Sequence, residues 1–202
     1  MEKYVITITR QFGSLGRPIA QKMSELLGIE FYDRDIVDDT AKKLKLPTSI
    51  IEEKEETAVQ KVVNKFSRMA FPLGSSSDTT QDKIFEAQSN IINFLVDRES
   101  CIVVGRCSDF VLSDRENSMH IFIYAPYAER VKNSIEELGL DEAEAKRMVK
   151  EVDIARDSYH MHFAGFLPDD KRFKDIMIDS SFLGIDATAE YLAEMVRKKF
   201  EM

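Results

Sequence analysis

Tryptophan is missing from this 202-residue chain, cysteine occurs twice and histidine three times. Two thiols, Cys101 and Cys107, cannot build a disulfide framework. His120, His160 and His162 lack the paired spacing of a structural zinc site. Long apolar runs are absent too: Cys101 to Val104 and Ile121 to Ala125 fall far short of the ~20 residues that cross a bilayer. The stretch Met1-Glu2-Lys3-Tyr4 carries no secretory pattern, so a cytoplasmic protein without a membrane partner is expected. Nor is there an excess of positive charge. With 28 Lys plus Arg against 36 Asp plus Glu, the net charge is −8, which argues against a nucleic acid polymer as partner, since neutralising its phosphates takes a dense cationic face. What is present, 44% hydrophobic and 32% charged residues, suffices for a folded domain with a sizeable core.

The chain opens on a β-branched run, Tyr4 to Thr9, that leads into Arg10-Gln11-Phe12-Gly13-Ser14-Leu15-Gly16-Arg17-Pro18. This reads as a buried strand feeding a glycine turn. Pro18 suits the first position of a helix whose apolar face is Ile19, Ala20, Met23, Leu26 and Leu27, and Gly28 suits its stop. Further short apolar segments follow at Ile29 to Tyr32, Cys101 to Val104, His120 to Ala125 and Asp175 to Asp179. They lack the polar alternation of a half-exposed sheet, and helical patterns separate them, which predicts parallel strands covered on both faces. Between Asp35 and Ser100 the pattern is helical only: a capping box at Ser49 and Glu52 starts one helix to about Ala70, Phe71 to Asp78 reads as a loop, and another helix spans Thr80 to Asp97. A helix from Asp141 to about Phe163 buries Met148, Val152, Ala155, Tyr159 and Phe163, with Asp153, Arg156 and His160 on a neighbouring face and His160 read as a surface residue ahead of a phosphate contact. The last helix runs from Asp186 to Phe200.

A glycine turn between a buried strand and a helix start exposes backbone N–H groups where the helix dipole adds positive charge, a favourable place for phosphate. Gly13, Ser14, Leu15, Gly16 and Arg17 have that placement. Arg10, Asp33 and Arg34, Arg106 and Arg130 lie at or just beyond the carboxyl ends of the proposed strands, where ligands gather in parallel sheets. Arginine keeps its charge and matches phosphate oxygens in a bidentate way, so these residues with Arg156 suit the clamping of a transferring phosphoryl group. Asp33, Asp109 and Asp153 stand near the cations, either as ion-pair partners or to recognise a base, a sugar hydroxyl or water-held Mg²⁺. Cys107 beside Arg106 is a candidate reactive thiol without a base partner in the sequence.

Ile6 to Arg17, Phe31-Tyr32-Asp33-Arg34, Ile102 to Arg106, Asp153-Ile154-Ala155-Arg156 and Ile178 to Asp186 together, in this order and spacing, resemble the cytidylate kinase-like family, a branch of the P-loop nucleoside monophosphate kinases. The resemblance implies an α/β fold with a five-stranded parallel sheet flanked by helices. It implies one kinase-like domain over residues 1–202, with a core of 1–37 and 98–202, a helical insertion at about 38–97 and a lid region at about 138–172. ATP and Mg²⁺ would be the cofactors, with the ATP phosphates in the first glycine turn and nucleotides as the substrates. By the resemblance Asp33 and Arg106 would lie on the acceptor side, and Arg130 and Arg156, with Asp153, would belong to the lid region, the arginines stabilising charge on the moving group; Arg34, Asp109 and Asp153 are further candidate acceptor contacts, and Arg17 with the loop amides would hold ATP as a third catalytic cation.

The turn departs from a full Walker A sequence, in which Lys reaches the β- and γ-phosphates and Ser or Thr binds Mg²⁺. With Gly16 in the last glycine slot, Arg17 stands in the Lys slot and Pro18 in the hydroxyl slot, and aligned one residue earlier Gly16 itself takes the Lys slot; under either alignment the metal-binding hydroxyl is missing, which leaves Ser14 or a water-bridged carboxylate as the candidate metal ligand. A nucleoside monophosphate kinase favouring CMP or dCMP is the first reading. A noncatalytic nucleotide-binding protein and a kinase for another small molecule stay open beside it.

Overall fold

The computed structural model describes residues 3–33 and 78–201. The expected helix from Ser49 to Ala70, most of the expected loop from Phe71 to Asp78, and Arg34 lie outside these residues. Five strands form one parallel sheet in the order β2-β3-β1-β4-β5: β1 Val5–Arg10, β2 Glu30–Tyr32, β3 Cys101–Val104, β4 Ser118–Tyr124 and β5 Ile176–Asp179. β1 is central, pairing Val5 with Cys101 on one side and with Ser118 on the other. With strand termini aligned, the segments after β1, β3 and β4 emerge at one end of the sheet.

The β-branched run of β1 is buried on both faces, as a central strand between helical layers must be. Side chains alternate: Tyr4, Ile6 and Ile8 join the core formed with Ile19, Ala20 and Met23 of α1 (Gly16–Leu27) and Leu192 and Val196 of α6 (Ser180–Lys199). Val5 faces the opposite core, where Ile91, Ile92, Leu95 and Val96 of α2 (Asp78–Arg98) pack on Val103 and on Leu112, which follows the short helix α3 (Ser108–Val111). Thr7 on that second face meets His120 of β4, with Oγ1 and Nδ1 2.7 Å apart. A third core joins Phe12, just past β1, to Val131 of α4 (Tyr127–Leu138) and to Ala145, Met148, Val149 and Val152 of α5 (Glu142–Ala164). This third core docks the long helix α5 against the end of β1.

Several boundaries differ from the sequence expectation, each for a local reason. α1 begins at Gly16 rather than Pro18 because Leu15 adopts a left-handed conformation (φ 58°) and Ile19 N–H already bonds to Leu15 carbonyl at 3.1 Å. Pro18 then sits in the first turn, where its missing N–H costs nothing. α6 starts at Ser180, capped by the Asp179 carboxylate on Ser181 N–H at 2.9 Å, and is interrupted at Gly184 (φ 72°, ψ −171°), so the helix expected from Asp186 is its second part. α5 keeps its expected start, with Asp141 accepting from Glu144 N–H.

Because Ile121 in β4 is fully buried between α1 and the neighbouring strands, Ile121→Ala is expected to destabilise the protein by about 2–5 kcal/mol in urea unfolding. Tyr191→Ala, at a side chain 53% exposed, is expected to stay within about 0.5 kcal/mol of wild type.

Candidate functional site

The turn after β1 presents main-chain amides. Gly13 and Leu15 both take positive φ (74° and 58°), and Leu15, the residue capping α1, has no side-chain oxygen to offer the first N–H groups of the helix. Alternating left-handed residues ahead of an uncapped helix start leave amides aimed outward, a concavity suited to an anion. The turn is anchored from below. Gln11 N–H donates to Ile123 carbonyl at 3.0 Å, Asn133 Nδ2 donates to Gly13 carbonyl at 2.9 Å, and Ser180 Oγ donates to Ser14 carbonyl at 2.7 Å. Gly13 is confined: a Cβ there would collide with the Arg130 carbonyl oxygen and come 2.8 Å from Ser134 Oγ.

Around the turn the structure gathers side chains from distant parts of the chain. Asp153 of α5 accepts from Phe12 N–H at 2.8 Å through Oδ1 and pairs through Oδ2 with Arg130 of α4. Arg130 Nη1 also donates to Phe12 carbonyl at 3.4 Å, and Arg156, one turn beyond Asp153, donates to Arg10 carbonyl at 3.0 Å. Arg10 runs over the turn: a Cβ on Gly16 would lie 2.7 Å from Arg10 Cβ, and one on Gly105 would meet the Arg10 guanidinium. Gly16 is therefore needed where Arg10 crosses it close to the backbone, while at Gly105 it is the positive φ of 79° that favours glycine. Arg17 pairs with Asp33 at the end of β2, its side chain 53% exposed and the carboxylate 6%. Arg106 follows β3 within Gly105-Arg106-Cys107, where φ is 79°, 59° and 49° in succession. Left-handed φ at non-glycine residues costs roughly 1 kcal/mol each, so the surroundings must hold this bend in place.

They do so through Asp109, and here the sequence expectation needs correcting. Asp109 does not open toward an acceptor. It is buried, paired with the fully buried Lys174, and faces His160 Nε2 at 3.0 Å and 3.1 Å with its two oxygens. His160 is correspondingly buried rather than on the helix surface, its Nδ1 donating to Phe166 carbonyl at 2.8 Å. Burial raises the Asp109 pKa, but the hydrogen bond and charge of His160 together with Lys174 outweigh it, bringing the group to about 2. Cys107 is also buried, and desolvation pushes its thiol up, away from the reactive thiolate. Nothing in the sequence marked Lys174 as the partner, since it lies 65 residues from Asp109.

Ser14 is fully buried, and its single hydroxyl proton is shared between the carbonyls of Gln11, 2.9 Å away, and Ile123, 3.1 Å away. That leaves it a packing group of the turn rather than a ligand facing a metal. Among the described residues there is no group of three or more His, Cys, Asp or Glu side chains that could hold a metal ion by themselves. Phe182, whose exposure no local sequence pattern marks, is 83% exposed in the first turn of α6, beside the Ser180 hydroxyl that ties that turn to the glycine turn. Among the described residues, no helix is long and apolar enough to cross a membrane.

Comparison with known proteins bears on this arrangement. The model of the cytidylate kinase-like family matches residues 5–182. A crystal structure of an uncharacterized protein from Eubacterium ventriosum superposes with a TM-score of 0.73 at 26% identity, covering 96% of this chain and 98% of that one. Shikimate kinase from Acinetobacter baumannii in complex with shikimate gives 0.54 at 11% identity over 98% and 94% of the two chains. A gluconokinase from Sinorhizobium meliloti gives 0.51 at 12% identity over 97% of each. These likenesses establish the P-loop kinase fold. The comparison with curated proteins finds no match.

Gly13→Ala is expected to destabilise the protein by more than about 2 kcal/mol, whereas Gly28→Ala, with the same sign of φ but open space around it, costs only about 1 kcal/mol, as chemical denaturation will show. The Asp109 pKa is depressed in the folded state, so its contribution to stability is complete above the ordinary carboxylate value near 3.8 and is lost as pH falls from about 4 to about 2. Lys174→Met, which leaves a buried carboxylate short of one cation, is expected to cost about 3–5 kcal/mol at neutral pH and to move acid unfolding upward in a pH-resolved thermal melt.

Proposed function

Because this chain belongs to the cytidylate kinase-like family, we propose that it transfers the γ-phosphoryl group of ATP to a nucleoside monophosphate, with CMP or dCMP the favoured acceptor. The observation that carries this reading is the convergence of Arg10, Arg130 and Arg156 on the end of β1, beside outward-facing amides and opposite Arg17. Phosphoryl transfer asks little covalent chemistry of a protein. It asks for in-line positioning of donor and acceptor and for cations where negative charge spreads.

In this reading the amides of Gly13 to Arg17 hold the β- and γ-phosphates of ATP, which arrives with the Mg²⁺ carried by its own phosphates. An oxygen of the acceptor phosphate attacks the γ-phosphorus, the bond from that phosphorus to the bridging β,γ-oxygen breaks, and ADP leaves. Arg130 and Arg156 stabilise the charge on the moving group. Asp153 keeps both guanidinium groups aimed and holds the loop from Phe12, so its part is positioning. Asp33 and Arg106 would face the acceptor, at the ends of β2 and β3. Phe182 supplies an exposed flat ring on which the donor base can stack, an interaction worth about 1–3 kcal/mol for base–aromatic pairs.

A noncatalytic nucleotide-binding role is the second reading, favoured by one observation: the cation in the Lys slot, Arg17, is engaged with Asp33. A panel of monophosphate acceptors with ATP labelled at the γ-phosphate separates the two. Label transfer to CMP or dCMP supports the kinase, and tight nucleotide binding with no transfer to any acceptor supports the alternative. For the kinase, Arg156→Ala is expected to lower kcat by about 10²-fold or more while nucleotide binding measured by calorimetry stays near wild type. Full turnover in that variant would remove Arg156 from the reaction.

A further inference from the structure

Resting on the reading of Arg156 as a cation on the moving phosphoryl group, we propose that His160 is a positioning residue for the transfer: its contact with Asp109 sets the roll of α5 and with it the place of the Arg156 guanidinium. Asp153, Arg156 and His160, at spacings of 3 and 4, share one face of α5. The two outer residues tie that face to different elements. Asp153 accepts from Phe12 N–H at 2.8 Å, just past β1, and pairs with Arg130 of α4. His160 turns its Nε2 to the two oxygens of Asp109, in α3, at 3.0 Å and 3.1 Å. Arg156 stands between these two ties and donates to the Arg10 carbonyl at 3.0 Å.

A single tie lets a helix turn about its own axis, whereas two on one face, about 10 Å apart along it, hold the roll. Side chains reach about 5–6 Å from a helix axis, so a roll of about 10° carries a guanidinium about 1 Å. A misplacement of that size can cost about 10²-fold in rate. Tyr159 and Phe163 also pack on Phe85 of α2, with ring centroids 6.2 Å and 4.2 Å apart, but the burial of apolar surface that holds them is non-directional. The other hydrogen bond of His160, from Nδ1 to the Phe166 carbonyl at 2.8 Å, stays at the end of α5 and does not reach α3. Asp109 depends less on His160 in return. It also meets the fully buried Lys174, so without the ring the carboxylate keeps a cation and the bend that carries Arg106 keeps its support. Losing the contact therefore acts on Arg156 and spares Arg106.

The test is steady-state kinetics of label transfer from γ-labelled ATP with Mg²⁺ to CMP, on the full chain. His160→Asn, whose amide reaches the place of Nδ1 but not that of Nε2, is expected to lower kcat by about 10-fold or more while KM for CMP stays within about threefold. His160→Gln, whose amide reaches the place of Nε2, is expected to hold kcat within about threefold of wild type. In an Arg156→Ala background, His160→Asn is expected to cause no further loss, because a residue that acts through another adds nothing once that other is gone. If His160→Asn proves unfolded by circular dichroism, His160→Met, unbranched and without a donor, takes its place with the same expectations. Unchanged kcat in the variant that lacks the Asp109 contact, or a loss that multiplies with that of Arg156→Ala, would overturn the proposal while leaving the kinase reading intact. No transfer to CMP by wild type, or full turnover in Arg156→Ala, would overturn the reading of Arg156, and the proposal with it.

Discussion

Asp153 holds the end of β1. One carboxylate oxygen takes the N–H of Phe12 and the other takes Arg130, while Arg156 follows on the next turn of α5 and reaches the carbonyl of Arg10. A main-chain amide and two guanidinium groups are thereby ordered by a single acidic group with only modest exposure. The packing of Phe12 against Val131, Met148 and Val152 seals the same junction from the apolar side. Without this junction the glycine turn would have its own hydrogen bonds to the sheet but no fixed cations around it. The gathering of cations around the turn therefore depends as much on α5 as on the turn itself.

A second charge node, Lys174 with Asp109 and His160, plays a comparable part for the neighbouring bend. It ties three segments, α5, the short helix Ser108–Val111 and the approach to β5, at a point with almost no solvent. Buried ions are costly unless their partners are complete, so this node specifies geometry more than it adds net stability. What it specifies is the start of the helix after Gly105-Arg106-Cys107, a bend that uses left-handed φ at two non-glycine residues. Phe166 packs its ring over the same node, against His160 at 4.7 Å and Phe173 at 3.8 Å between centroids. Arg106 and Arg156 are thus supported by one connected body, although each belongs to a different element.

The strands, the first helix with its stop at Gly28, and the start of α5 at Asp141 were all legible, because each depends on local pattern: apolar runs without alternation, a left-handed glycine, a capping carboxylate. The cations were legible as a list of strand-end arginines, since parallel sheets collect ligands at that edge. Their partners were not. Asp109 and Asp153 look alike in the sequence, acidic residues near an arginine, yet one is sealed inside with Lys174 and the other stands at the turn. His160 was misread for the same reason: helical periodicity places it beside Arg156 but does not say that Phe166 and Phe173 cover that face.

From the order of its residues alone, this chain determined a parallel α/β sheet, an amide-rich turn after the first strand and the absence of the usual lysine and hydroxyl in that turn. These are decided by neighbours within a few positions, where backbone conformation and side-chain spacing act directly. Only the tertiary structure decided which carboxylate meets which cation, that Ser14 points into the sheet, and that Arg17 is held by Asp33. Such pairings join residues far apart in the chain, and whether a charge is solvated or sealed depends on what packs over it, which no local pattern records.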